Sequence, residues 1–276
     1  MPDKIIIVLR MSQAANIAMQ FDRISQIYDE TREPLKEAAV NKIKNILLRD
    51  NCSSIMEVGV GTGPVAKPLQ ERSFEIVGLD VSKGMLLKAR EKRVLRLILA
   101  DADYLPIKEK SFDAAILAHV LQIFESPTEV FGKIVGVVKK DVVALVRGRD
   151  DTLANDSSGN SMMSMMSMMR QMFEKVSSEM GYALPRRAGD WRRKESEFLA
   201  AVPPTELVTI QDELIETTID ERLSFFEKRP FGYCLEVPDE VFHKIIQEVR
   251  SSLDTKRKIQ YRRVEQMAIW KLTEQT

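Results

Sequence analysis

The sequence predicts a doubly wound α/β fold, a mostly parallel sheet with helices on both faces. Three observations carry that expectation. Residues 55–63, Ile-Met-Glu-Val-Gly-Val-Gly-Thr-Gly, run from a short apolar stretch into three alternating glycines and then Pro64, which reads as strand, tight turn and helix opening. Further short apolar runs recur downstream, separated by segments with helical spacing. At 276 residues, the chain is long enough to bury one α/β core with a smaller elaboration.

At the N-terminus, residues 5–9 are apolar and read either as a short strand or as a lead-in packed on the main domain. Residues 11–30 have helical spacing through Phe21, Ile24 and Ile27 or Tyr28. Tyr28, Asp29 and Arg32 form a polar-aromatic cluster before Pro34; it is either an ordinary helix end or part of a ligand pocket. Residues 35–49 read as an amphipathic helix leading to the first central strand. In the loop that follows, glycine permits unusual backbone angles and close approach of a ligand. Unpaired N–H groups of the helix start stand nearby. A nicotinamide fingerprint needs Gly-x-Gly-x-x-Gly. Here the third glycine, Gly63, comes one position early, and an acid, Glu57, stands two residues before Gly59.

After a helix over 64–72, residues 74–79 give a second strand ending at Asp80. An acid at the carboxyl end of a parallel strand can meet a ribose, its oxygens accepting from two hydroxyls. Asp80 and Ser82 can instead simply cap the helix from Lys83. A third strand over 95–99 leads to Asp101, placed to accept from the exocyclic amine of a base, while Asp103 falls further into the turn as a solvated or capping residue. The fourth strand, 112–118, ends at His119, one of two histidines. His119 is packing, a pocket contact or a general base. Residues 130–138 are helical and 142–147 form the fifth strand.

After Arg147 the composition changes. Residues 150–161 are rich in Asp, Asn, Ser and Gly, and 162–169 hold six methionines, continued by Met172, Phe173 and Val176. That segment reads as a lid, as packing on the sheet or as a subunit interface. Arg186, Arg187, Trp191, Arg192 and Arg193 make a basic-aromatic patch, either a solvated surface or a contact for an acidic substrate. A sixth strand over 205–211, helices over 218–228 and 238–253, and a seventh strand over 263–272 complete the chain.

Lys plus Arg and Asp plus Glu number 41 each, which argues against general nucleic-acid binding. Two distant cysteines, Cys52 and Cys234, give neither a disulfide framework nor a metal cluster and fit a reducing, cytoplasmic setting. No apolar run is long enough to span a bilayer.

Four segments in order, Glu57-Val-Gly-Val-Gly-Thr-Gly63, Gly78-Leu-Asp-Val-Ser82, Asp101-Ala-Asp-Tyr-Leu-Pro106 and Ser111-Phe-Asp113, resemble the class I S-adenosylmethionine-dependent methyltransferases. Within them the chain is similar to the ubiquinone/menaquinone-type small-molecule branch. The resemblance implies a Rossmann-like, seven-stranded, mostly parallel sheet with an antiparallel final strand and a helical lid. It divides the chain into a cover segment at 1–34, a cofactor-binding core at 35–149, a Met-rich insertion or lid at 150–204, and a completing region with inserted helices at 205–276. It implies S-adenosyl-L-methionine as cofactor and in-line methyl transfer to a small-molecule acceptor, apolar if the Met-rich segment covers it. No nucleic acid and no metal are implied, and a homodimer is compatible. Glu57 would sit near the methionine part. Gly59, Gly61 and Gly63 would make room, Asp80 would bind the ribose, and Val81 would pack on adenine. Asp101 and Ala102 would lie at the adenine amine, Tyr28 over the pocket, and His119 on the cofactor or acceptor side. Members often carry cysteine or alanine where Val60 stands. A base is needed only where the acceptor must lose a proton. A binding protein without catalysis remains the main alternative, with a nicotinamide oxidoreductase behind it.

Overall fold

The computed structural model describes residues 5–7, 15–32, 35–148, 171, 174–176, 178, 179, 181, 190–229, 234 and 237–272. Five central strands are parallel: β2 (Ser54–Val58), β3 (Glu75–Asp80), β4 (Leu97–Leu99), β5 (Phe112–Ala118) and β6 (Val138–Arg147). β1 (Ile5–Ile7) adds to β4 in parallel, so the apolar start of the chain is a strand and the sheet has eight members. β7 (Glu206–Thr218) and β8 (Lys258–Lys271) close the other side, in the order β1-β4-β3-β2-β5-β6-β8-β7, with β8 antiparallel to β6. Seven of these are the strands read from the sequence; the eighth settles the choice left open at residues 5–9.

The central strands are apolar on both faces because helices cover both. On one face Ile55, Ile76, Ile116 and Val143 pack with residues of α2 (Glu37–Arg49), α3 (Ala66–Gln70) and α4 (Lys83–Glu91), among them Ile43, Leu47, Leu69 and Leu86. On the other, Met56, Leu117 and Val142 pack against α5 (Pro127–Val137) and α6 (Asp190–Ala201). Phe131, Phe198 and Trp270 meet there with ring centroids 4.9–5.8 Å apart, and the Trp270 indole donates to the Val202 carbonyl at 3.0 Å.

Several bounds differ from expectation, each for a local reason. The helix expected over 64–72 is only α3, in which Pro68 sits in the first turn and after which Ser73 turns the chain with φ of 70°. β7 and β8 outrun their apolar stretches. Beyond the core they are joined by side-chain pairs, Arg262 on Asp212 at 2.6 and 2.7 Å and Lys258 on Glu216 at 2.6 Å, which leave no apolar alternation to read. Asp103 is solvent-exposed in part, as expected, and there it accepts from Lys133 at 2.8 Å.

The chain divides into two compact units. One comprises 1–147, 189–211 and 265–276 and contains the two cores above. The second comprises 148–188 and 212–264. Its core gathers Val176, Leu223, Phe226, Phe242, Ile245 and Val249, from α7 (Ile219–Glu227), α8 (Asp239–Ser252) and their surroundings. Thr218 and Glu221 form a reciprocal cap at the start of α7, and His243 is exposed on α8. The six methionines at 162–169, with Met172, Phe173, Arg186 and Arg187, lie outside the described residues. Among the described residues, no helix is long and apolar enough to cross a membrane, and no group of three or more His, Cys, Asp or Glu is placed to hold a metal.

Candidate functional site

β2 lies between β3 and β5. The chain winds outward from β2 through β3 to β4, then returns to β5 and winds the other way through β6. That reversal opens a crevice at the carboxyl ends of β2 and β5, where parallel α/β sheets take ligands.

The glycine loop leaves β2 at this crevice. Gly59 and Val60 both donate to the Leu79 carbonyl, at 2.7 and 3.0 Å, and Gly63 donates to the Val60 carbonyl at 2.9 Å. Gly59, Gly61 and Gly63 have φ of 71, 55 and 82°, a region that disfavours side chains. Their surroundings differ. A Cβ on Gly59 would lie 2.7 Å from Val120 and one on Gly63 2.7 Å from Val94, whereas one on Gly61 would meet nothing within 4 Å. The middle of the loop therefore faces open space. Gly78 on β3 supports it from below, where Val60 leaves no room for a side chain: a Cβ on Gly78 would lie 2.7–3.0 Å from three Val60 atoms.

Asp80 ends β3 and joins two loops. One oxygen accepts from Gly61 N–H at 2.8 Å, the other from Ser82 N–H at 2.8 Å. The Ser82 hydroxyl accepts from Met85 N–H at 3.1 Å and so caps α4. Both sequence readings of this pair, ligand group and cap, are therefore compatible with the geometry: each carboxylate oxygen keeps a lone pair unused. Burial pushes the Asp80 carboxyl up to about 6, against the pull of the Ser82 and Gly61 N–H groups.

Glu57, the fourth residue of β2, is almost fully buried, and neither carboxylate oxygen has a hydrogen-bond partner. Burial pushes its pKa well up, the Ala66 N–H, which lies outside hydrogen-bonding geometry, favours the charge, and Asp80 opposes it. A buried, unsatisfied carboxylate is costly unless something answers it.

Asp101 is buried after β4, one oxygen accepting from Asp103 N–H at 2.9 Å, with Ala102 buried beside it and Val81 half-buried after β3. Tyr28 is half-buried, the Arg32 guanidinium lying 4.8 Å from its ring centroid.

The segment around Tyr28 and the helix before it, α1 (Ala15–Ile24), are tied to this end of the sheet by contacts that the sequence reading missed. The fully buried Thr62 hydroxyl donates to Asp29 at 2.6 Å, and Asp29 also pairs with Lys92 at 2.6 Å. Asp22 of α1 accepts from the Ser82 hydroxyl at 2.6 Å and from Gly84 N–H at 2.7 Å. Thr62 stands inside the glycine motif, the one available signal; Asp22 looks like any solvated acid.

His119 follows β5 with φ of 54°. Among the described residues five other non-glycine positions have positive φ, but Asn51, Ser73, Arg93 and Arg229 follow helices and Lys110 sits in a turn. At the end of a strand such a backbone is strained by about 1 kcal/mol or more. It is fixed by the His119 N–H donating to Leu145 at 3.1 Å and the Gln122 amide donating to the His119 carbonyl at 2.7 Å. The imidazole is half-buried. Nε2 lies 3.3 Å from the buried Glu265 carboxylate, and Nδ1 is buried without a partner. Burial pushes its pKa below the ordinary value, Glu265 pulls upward, and Arg147 and Arg32 push down again. The fold thus gathers Glu57, the three glycines, Asp80, Asp101 and Ala102 at neighbouring strand ends, with His119 at the end of the next strand.

Residues 56–146 match a family model described as Methyltransferase domain. The chain is 30% identical over 123 residues to an uncharacterized protein of Methanocaldococcus jannaschii, an alignment covering 44% of this chain and 56% of that protein. It is 32% identical over 128 residues to the demethylmenaquinone methyltransferase of Thermotoga maritima, again 44% and 56%. The chain thus spans little more than half the length of these relatives. A solved structure from Anaeromyxobacter dehalogenans, provisionally named a type II methyltransferase, superposes with a TM-score of 0.51 at 15% identity, over 86% of this chain and 96% of that one. The fold is that of the class I S-adenosylmethionine-dependent methyltransferases.

Proposed function

We propose that the protein is an S-adenosyl-L-methionine-dependent methyltransferase acting on a small-molecule acceptor. The observation that carries this reading is the Glu57 carboxylate, buried and unpartnered beside a glycine loop whose middle residue faces open space. A neutral dinucleotide turn gives no reason to bury an acid there. A ligand with an ammonium and a sulfonium does. The residues present suit that ligand: Glu57 answers its positive end, Asp80 offers free lone pairs to two ribose hydroxyls, Gly61 leaves space for it, and Asp101 stands ready for an exocyclic amine. Ala102 and Val81 flank the base, and Tyr28 covers the pocket.

When bound, the cofactor supplies a methyl group on a good leaving group, so the chain's own task is alignment and exclusion of water. His119 lines the acceptor side and takes the acceptor's proton where there is one to lose. The relative named as a demethylmenaquinone methyltransferase supports the finer reading of a quinone-precursor acceptor, although the alignment covers only 44% of this chain.

Isothermal titration with S-adenosyl-L-methionine, S-adenosylhomocysteine and NAD tests the reading. Binding of the first two and not the third is expected. Binding of NAD alone, or of none, would sink it.

A further inference from the structure

We propose that Glu265 is a positioning residue for His119, holding the imidazole by Nε2–H so that Nδ1 is the atom that accepts a proton from an O–H or N–H acceptor. The inference rests on the methyl-transfer reading and deepens it. Glu265 lies on β8, opposite Arg147 of β6, and β5 pairs with β6 on its other side, so the antiparallel strand delivers a buried carboxylate to a histidine far away in sequence. Nε2 and the carboxylate are 3.3 Å apart, close enough for an ion pair but not aligned as a hydrogen bond, a contact of the kind that tightens when a ligand fills a site. A neutral imidazole has one N–H, and an ionised carboxylate can only accept. The proton therefore belongs on Nε2, leaving the lone pair on Nδ1. That nitrogen is buried and without a partner in a ring whose backbone is pinned in a strained conformation. A donor brought in by the acceptor molecule would satisfy it.

In the step itself the acceptor's O–H or N–H bond breaks, its electron pair stays on the acceptor atom as the nucleophile, and the proton bonds to Nδ1. The imidazolium so formed is paired with the Glu265 charge. The charged groups facing the ring are Glu265 from β8, Arg147 from β6, and Arg32 from the segment after Tyr28. Burial above all, with the two cations, keeps the resting ring neutral, and one carboxylate supports it once protonated. Acceptors that have no proton to lose, such as thioethers and tertiary amines, gain nothing from this arrangement.

Only His119 and His243 are present, so nitrogen-15 NMR of histidine-labelled full-length protein gives two ring systems, assigned with His119→Gln. At pH 7.5 the His119 ring is expected neutral, protonated on Nε2 and bare on Nδ1. In Glu265→Gln its apparent pKa falls by about one pH unit, and Glu265→Asp restores it. Glu265→Met, which offers no acceptor, loses the Nε2–H preference. If Glu265→Met does not fold, the Gln and Asp variants still decide. A ring protonated on Nδ1 in the wild type, or a pKa unmoved in Glu265→Gln, overturns the proposal. Titration of the wild type with S-adenosyl-L-methionine runs alongside. No binding there overturns the methyl-transfer reading, whereas the tautomer result stands or falls by itself.

Discussion

The two ends of the central strands use their acids in opposite ways. At the amino ends, Asp113 and Asp50 are saturated by the protein, while Asp141 beside them is held up by burial. Asp113 accepts from Ser53 N–H, Ser53 hydroxyl and Ser54 N–H, all at 3.0 Å, and although burial opposes it, these bonds hold its carboxyl well below the usual range. Asp50 takes Arg49 at 2.7 and 2.9 Å and Lys271 at 3.1 Å and is held down at about 2. At the carboxyl ends, Glu57 has no partner and Asp80 has one N–H on each oxygen. One end joins strands. The other keeps bonding capacity in reserve, at a cost in stability that a bound ligand would offset.

The largest effect that would break this comparison is on ligand affinity. Asp80→Ala should weaken S-adenosyl-L-methionine binding about a hundredfold, two hydrogen bonds to a charged group at ~1.5 kcal/mol each. An unchanged Kd by calorimetry would remove Asp80 from the site. Next, Asp113→Ala should cost about 2 kcal/mol in denaturant unfolding, because two backbone N–H groups and a hydroxyl lose their acceptor, while Kd stays the same. Loss of affinity without loss of stability would reverse the roles assigned to the two ends. Glu57→Gln should weaken binding about tenfold, roughly 1.4 kcal/mol of attraction to a cation, without lowering the melting temperature of the ligand-free protein at pH 8. A large drop in that temperature would make Glu57 a structural group.

The smallest effect is in the pH dependence of stability. Asp80 and Asp141 both stand at about 6 in the fold, Asp141 raised by burial and by its neighbour Asp50. Such acids take up protons in the native state before they do so unfolded, so stability should rise as pH falls from about 8 toward 5. Glu57 adds to that trend, and His119, held low, opposes it below its ordinary value of 6.5. Below about 4 the depressed Asp50 and Asp113 dominate and stability is lost. Asp141→Asn should flatten the upper slope, read by urea midpoints at several pH values. An unchanged slope would clear Asp141 of any part in it.

The strand ends that carry the proposed donor site were readable because their signals are local. A strand, three glycines and an acid are set by neighbours in the chain, as are Asp80 and Asp101 at strand ends. Glu265 was not readable. It sits in a run of charged and polar residues on β8, and only the pairing of β8 with β6 brings it to His119. Asp22 and Asp29 were missed for the same reason: their partners, Gly84, Ser82 and Thr62, lie in other elements. The lengths of β7 and β8 were missed because paired charges, rather than alternating apolar residues, carry their outer halves. The sheet edge at Ile5–Ile7 is too short a run for periodicity to separate strand from lead-in.

The contact between Val60 and Gly78 bears on how this loop can change over generations. A methyl group at 78 collides with the Cβ of Val60 as well as with its methyls, so only glycine at 60 would vacate that volume. The two positions are therefore epistatic, and the order of substitution matters. A lineage that first replaces residue 60 with glycine opens space for a side chain at 78, at the cost of the packing that the valine provides. One that keeps valine has that path closed, and its glycine on β3 is inherited as a hostage of a residue on another strand's loop.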